Sequence, residues 1–237
     1  MTENSYSSAV RDNLCRIEEQ IARACLRAGR KREEVTLLAV TKTVDADRIN
    51  AAIAAGVTHI GENRVQEWLS KRDALHLQGV TTHLIGHLQT NKVKAAVGAD
   101  LVESVDSLRL AAALDAAAAA SGKVLPVLLE VNIGGEESKS GFAVDAATEA
   151  ALQMAEFPHL ALRGMMCIPP ISHTEAEKRV YFAQMRKLFL DIREKIVDNS
   201  TMNILSMGMS SDFEEAILEG STQVRIGTAL FGMRNYK

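Results

Sequence analysis

Eight short apolar runs, most leading into a helical pattern, constrain what this chain can fold into more than any other feature. They begin near Val35, Thr58, Thr82, Leu101, Val124, Leu162, Ile204 and Gln223. The first, Val35 through Lys42, is apolar and rich in β-branched residues, as suits a strand buried on both faces of a parallel sheet. Eight strands, each followed by a helix except at the end, is the count of a (β/α)8 TIM-type barrel. An open doubly wound sheet is the other architecture that this alternation permits. Most starts lie one strand–helix unit apart. The two wider gaps hold a loop, Gly134-Gly135-Glu136-Glu137-Ser138-Lys139-Ser140-Gly141, and a long helix predicted from about Thr174 to Val197.

Helix punctuation supports the count. Asp45 precedes a run with Ile49 and Ile53 on one face and Gly56 as its stop. Ser107 precedes an alanine-rich helix over 108–120, closed by Gly122; the repetition reflects helix propensity rather than low complexity. Ser211-Asp212-Phe213-Glu214 has the form of a capping box opening a short helix that ends at Gly220. Ahead of the first strand, residues 4–28 carry Leu14, Ile17, Ile21 and Leu26 at helical spacing. That predicts an extra N-terminal helix closing the bottom or side of the barrel. No linker-like stretch interrupts the chain, so a single domain is expected, with the helix inside 1–30 and the barrel over 35–237.

Composition removes several functional classes. The net charge is −3 with basic residues dispersed, which leaves no electrostatic footprint for nucleic acid. No apolar run approaches the length of a membrane span or a signal core. Cys15, Cys25 and Cys167 show no CxxC spacing, so neither a disulfide framework nor a metal site is expected, and buried thiols in a reducing cytoplasm are the reading. No exposed apolar stripe stands out, which makes a monomer the expectation.

In parallel α/β folds the chemistry gathers at the C-terminal ends of the strands. Those positions are Lys42, Glu62-Asn63, Gly86-His87, Ser104 to Asp106, Glu130 to Asn132, Cys167-Ile168, Ser206 to Ser210, and Arg225 to Thr228. Polar residues concentrate there, at the ends of apolar strands. Lysine is rarely buried without a partner, so Lys42 either snorkels into water or presents an amine of lowered pKa to a carbonyl. Ser210, with Gly227 and Thr228, either cradles a phosphate after strands seven and eight or serves local capping. Arg225 needs an acceptor, which is either Glu130 or a ligand. Facing a pyridine, arginine cannot accept the ring proton; the ring nitrogen then stays neutral and the ring is a weaker electron sink.

A lysine ending strand one, combined with a phosphate cradle after strands seven and eight, points to pyridoxal 5′-phosphate (PLP). Several segments carry a closer likeness: Ala39-Val40-Thr41-Lys42, Gly61-Glu62-Asn63, His83-Leu84-Ile85-Gly86, Glu130-Val131-Asn132-Ile133, Ser138-Lys139-Ser140-Gly141, Arg163-Gly164-Met165-Met166, Leu205 through Ser210, and Val224-Arg225-Ile226-Gly227-Thr228. In that order and at barrel spacing, they resemble the pyridoxal phosphate homeostasis protein family, whose barrel is similar to the N-terminal domain of alanine racemase. The likeness runs from about Val35 to Tyr236. It implies a Schiff base on Lys42, phosphate ligands Ser210, Gly227 and Thr228, Arg225 facing the pyridine nitrogen and Asn63 lining the ring pocket. Val44 stands where many relatives have a second lysine, His87 where proline is common, and Gly134-Gly135 where more polar loop residues occur.

Racemisation needs a proton acceptor on one face of the substrate carbon and a donor on the other. Lys42 serves one face, and Tyr6, Tyr181 and Tyr236 all lie away from strand C-termini. The resemblance therefore implies a cytoplasmic PLP carrier without significant turnover, with PLP-dependent apoenzymes as recipients. A weak racemase using His87 as second base is the alternative; a class I aldolase and a bare interaction scaffold are further rivals. Lys139 is read as a solvated loop lysine, or as a transient acceptor of the cofactor.

Overall fold

The computed structural model describes residues 3–171, 174–196 and 201–233. Eight parallel strands close into one barrel in chain order, the last pairing with the first. They are β1 Thr36–Val40, β2 His59–Glu62, β3 Thr81–Leu84, β4 Leu101–Val105, β5 Leu125–Val131, β6 Leu160–Cys167, β7 Ile204–Met209 and β8 Gln223–Ile226. The eight runs read from the sequence are these strands, and the doubly wound alternative falls because β8 hydrogen-bonds β1, with Leu38 opposite Arg225. The helices are α1 Glu3–Arg27, α2 Ala46–Ala54, α3 Val65–Lys71, α4 Val93–Ala96, α5 Leu108–Ala120, α6 Ala147–Ala155, α7 Glu175–Arg193, α8 Phe213–Leu218 and α9 Thr228–Phe231.

Strand alternation divides the core in two. On β1, Leu37 and Ala39 join the large cluster shared with the helices, whereas Leu38 and Val40 pack with Ile85 in a small cluster inside the barrel. Leu101, Leu128 and Met166 form a second interior cluster. Burial on both faces is why these strands read as continuous apolar runs instead of alternating ones.

The N-terminal helix closes the side of the barrel, not its bottom. Among the described residues after β8 the one helix is the single turn of α9, and α1 packs against α2, α8 and α9. It thereby fills the place in the outer ring that a full-length eighth helix would take. Its buried stripe is Val10, Leu14, Ile17, Ile21, Ala24 and Cys25; Leu26, expected on that face, is 79% exposed. Five residues beyond Ile21, Leu26 is turned well away from the stripe. Cys15 is exposed, against the expectation of three buried thiols, while Cys25 and Cys167 are buried.

The other helix signals fare unevenly. Asp45 caps α2 by accepting from Arg48 N at 2.9 Å, and Ser107 caps α5 through Leu110 N at 3.3 Å. Thr174 caps α7 in a capping box with Glu177, and α7 ends at Arg193; Val197, its expected end, lies outside the described residues. The capping box expected at Ser211 does not form. Asp212 is the cap position of α8, and its carboxylate turns back to accept from Met209 N at 2.6 Å. Glu214 instead faces α1, accepting from Gln20 Nε2 at 3.5 Å.

Candidate functional site

Lys42 sits two residues beyond Val40 on the inward row of β1, half-buried at the C-terminal mouth. The last sheet bond is Thr41 N to Gly61 O at 2.9 Å, after which Val44 N closes a turn onto Thr41 O at 3.0 Å. Inside that turn Thr43 has φ of 61°, a left-handed conformation that costs a β-branched residue about 1–3 kcal/mol. A cluster behind the strand holds the turn. Lys71 Nζ donates to Thr41 O at 3.1 Å, to Glu62 Oε1 at 2.9 Å and to Glu67 Oε1 at 2.6 Å. Thr41 Oγ1 also donates to Glu62 Oε1, at 2.9 Å. Burial raises the Glu62 carboxyl above its ordinary pKa, with the Lys71 ammonium opposing the shift.

Across the β1–β8 seam lie the residues expected to form a cradle. Gly208, with φ of 91°, brings the end of β7 so close to α8 that an added Cβ would stand 2.5 Å from that of Ala216. The chain emerges at Ser210, whose Oγ accepts from Gly227 N and Ala229 N, both at 3.3 Å. Ser210 therefore does not cap α8; its hydroxyl instead accepts the first N–H groups of α9, a capping contact placed where those groups could also meet a phosphate. One cavity of about 540 Å3 is lined by Lys42, Ser210, Ser211, Gly227, Thr228 and Ala229, over a floor of Val40 and Met209. An amine beside two converging backbone N–H groups and several hydroxyls is a donor set that fits a phosphorylated aldehyde. The cavity is of the size that small-molecule sites take.

Two expected site residues stand outside that lining. Arg225 is 4% exposed and donates to Ser206 Oγ at 2.7 Å and to the Cys167 carbonyl at 2.8 Å. No hydrogen bond joins it to Glu130. Asn63 follows β2, half-buried, and Gly86 packs against its backbone so tightly that a Cβ there would lie 2.5 Å from Asn63 O.

Sequence reasoning treated Glu130 only as a partner for Arg225 and missed its chemistry. It lies two residues beyond the inward-facing Leu128 on β5, the strand diametrically across the barrel from β1. Only 9% exposed, it has one carboxylate oxygen without a hydrogen-bond partner among the described residues. Burial, reinforced by Asp106, pushes its pKa up to about 7 against the opposing charges of Arg225 and His87. The signal available in the sequence was a carboxylate ending an otherwise apolar strand.

His87 is exposed on the rim, with its Nδ1 2.8 Å from Asp106 Oδ2 and 3.2 Å from Ser140 Oγ. Lys139, read as solvated, is instead tied down: its amine donates to the Pro169 carbonyl at 3.2 Å and pairs with Glu136. Tyr6 lies on α1 under the Arg48 guanidinium, Tyr181 lies on α7, and Tyr236 lies outside the described residues. Among the described residues, no group of three or more His, Cys, Asp or Glu could hold a metal ion, and no helix is long and apolar enough to cross a membrane.

Comparison with known proteins places these features in context. Residues 13–235 match the family model described as alanine racemase, N-terminal domain. The pyridoxal phosphate homeostasis protein of Aquifex aeolicus is 42% identical over 226 residues, covering 95% of this chain and 98% of that protein. An unknown protein from Bifidobacterium adolescentis superposes with a TM-score of 0.93 at 39% identity, over 98% of each chain. PipY of Synechococcus elongatus, solved with PLP bound, gives a TM-score of 0.81 at 36% identity, over 94% of this chain and 100% of that one.

Proposed function

Because the chain belongs to the pyridoxal phosphate homeostasis protein family, built on the alanine racemase N-terminal domain, we propose that it binds PLP covalently through Lys42 and serves intracellular PLP homeostasis. The observation that carries this reading is the shared cavity: the only lysine on the inward row of β1 and the cradle at Ser210, Gly227 and Thr228 line the same space. The relatives' names and the PLP bound to PipY support it.

In this reading Lys42 Nζ supplies the nucleophile, and the Thr41–Val44 turn aims it. Gly227 N, Ala229 N and the hydroxyls of Ser210 and Thr228 take the phosphate. Arg225 faces the pyridine nitrogen and, as a permanent cation, withholds a proton acceptor from it. Asn63 lines the ring pocket. When bound, the group supplies a reactive aldehyde and an electron-withdrawing ring, the latter weakened beside a guanidinium. The protein acts as a cytoplasmic, monomeric carrier that limits free aldehyde and passes the cofactor to PLP-dependent apoenzymes, with little turnover of its own.

Titrating the protein with PLP and following the visible absorption band tests this. Wild type should develop a saturable band that Lys42→Ala lacks; equal bands in the two proteins would refute the role of Lys42.

Glu130 favours a second reading, a weak amino-acid racemase. A carboxyl with a pKa near 7 at the mouth, on the strand opposite Lys42, is a better second acid/base than the exposed, engaged His87. Slow loss of optical activity from an amino acid in wild type, abolished by Glu130→Gln, would establish it; no loss in either protein would leave the carrier reading standing.

A further inference from the structure

A chain of polar side chains crosses the barrel interior between its two apolar clusters. His59 Nδ1 lies 3.1 Å from His83 Nε2, and His83 Nδ1 lies 2.7 Å from Glu103 Oε1. Gln223 Nε2 donates to that same oxygen at 2.7 Å, and Ser206 Oγ donates to Glu103 Oε2 at 2.6 Å. Arg225 Nη1 donates to Ser206 Oγ at 2.7 Å. Ser206 has one proton and gives it to the carboxylate, so its lone pairs accept from Arg225 Nη1 and, at 3.0 Å, from Gln223 Nε2. One end of the chain, His59, lines a cavity of about 700 Å3 on the N-terminal face; the other end is Arg225, below the mouth.

We propose that Glu103 is a positioning residue for the cofactor site: acting through Ser206, it fixes the orientation of Arg225 and balances its charge. The link from Arg225 to the pyridine nitrogen rests on the reading given under Proposed function; the hold of Glu103 on Arg225 does not.

Two carboxylates are candidates to balance Arg225. Glu103 is fully buried, and both its oxygens are hydrogen-bonded. Burial would raise its pKa, but the hydrogen bond and charge of His83, the charge of Arg225 and the Ser206 hydroxyl outweigh that and hold it below its ordinary value. Glu130 is pushed the other way, with an oxygen left unpaired. Glu103, deep in the barrel, is thus the carboxylate held toward its charged form, and one hydroxyl links it to the arginine. Arg225 Nη2 donates to the Cys167 carbonyl at 2.8 Å, so both terminal nitrogens of the guanidinium are held, one of them through Ser206. Glutamine in place of Glu103 would keep the acceptor geometry and lose the charge.

The test begins without cofactor, on 15N-labelled protein. The Arg225 side-chain N–H signals, identified by their absence in Arg225→Lys, should exchange slowly with solvent in wild type and at least about tenfold faster in Glu103→Gln. Ser206→Ala, which removes the bridging hydroxyl and leaves the carboxylate, should act in the same direction and covers the case in which Glu103→Gln fails to fold. In the PLP-loaded protein, Glu103→Gln should shift the absorption band and speed PLP release, and Glu103→Asp should restore part of both. Equal Arg225 exchange in wild type and both variants overturns the proposal. So does a loosened Arg225 with band and release unchanged. Loosening of Arg225 in a protein whose wild type takes up no PLP upholds the hold on Arg225 and instead sinks the cofactor reading.

Discussion

Glu67 accepts the backbone N–H of Thr43 at 2.5 Å, and Thr43 is the one non-glycine residue with positive φ among the described residues. The helix that follows β2 thus holds the strained turn that presents Lys42. Glu67→Ala removes that acceptor and one partner of Lys71. It should lower stability by about 1–2 kcal/mol in urea unfolding and slow the reaction of Lys42 with aldehydes. A variant unchanged in both would mean that the turn holds itself.

Glu130 gives a pH dependence whose sign follows from its raised pKa. Folding favours its neutral form, so its contribution is fully present below the ordinary carboxylate pKa of 4.5 and is lost as pH rises through about 7. A shift of that size corresponds to at most about 3 kcal/mol. Wild type should therefore lose stability relative to Glu130→Gln between about pH 4.5 and 7 and run level with it above that, as read by denaturant midpoints. Parallel profiles would show that the carboxyl is ionised throughout.

The thiols should separate cleanly. Burial pushes Cys167 up to about 12 and raises Cys25, while Cys15 is exposed. The thiolate is the reactive form, so brief alkylation of the native protein, read by mass spectrometry, should modify Cys15 alone. Equal labelling of Cys167 would contradict the packing behind Arg225.

Much of this was legible in the chain. The barrel showed because strands buried on both faces leave uninterrupted apolar runs, and because turn and cap residues such as Asp45, Ser107 and Gly122 mark the helices between them. That Lys42, Ser210, Gly227 and Thr228 gather at one cavity was legible because each follows the C-terminal end of an apolar strand, and a parallel barrel brings those ends to one mouth. What stayed hidden depends on contacts between distant segments. Leu26 fits an apolar pattern but misses the buried stripe by its rotation about the axis. Ser211 and Glu214 match a capping box, yet Asp212 is drawn back to Met209 and Glu214 to α1. Glu103, His83 and Gln223 lie on three separate strands, and nothing local to any of them announces the charged network in the barrel core.

The cradle predicts discrimination between vitamers. Ser210→Ala leaves the backbone N–H groups in place but removes the hydroxyl on which they converge. Affinity for PLP should fall by about tenfold, the worth of one hydrogen bond to a charged group, while affinity for pyridoxal without phosphate stays level. Equal losses for both would place the phosphate elsewhere.

The most direct measurement is borohydride reduction of the PLP-loaded protein followed by peptide mapping. The predicted result is a phosphopyridoxyl group on the peptide that contains Lys42, and none in Lys42→Ala. A native protein that carries the label on Lys139 or another lysine, with Lys42 unmodified, would contradict the account.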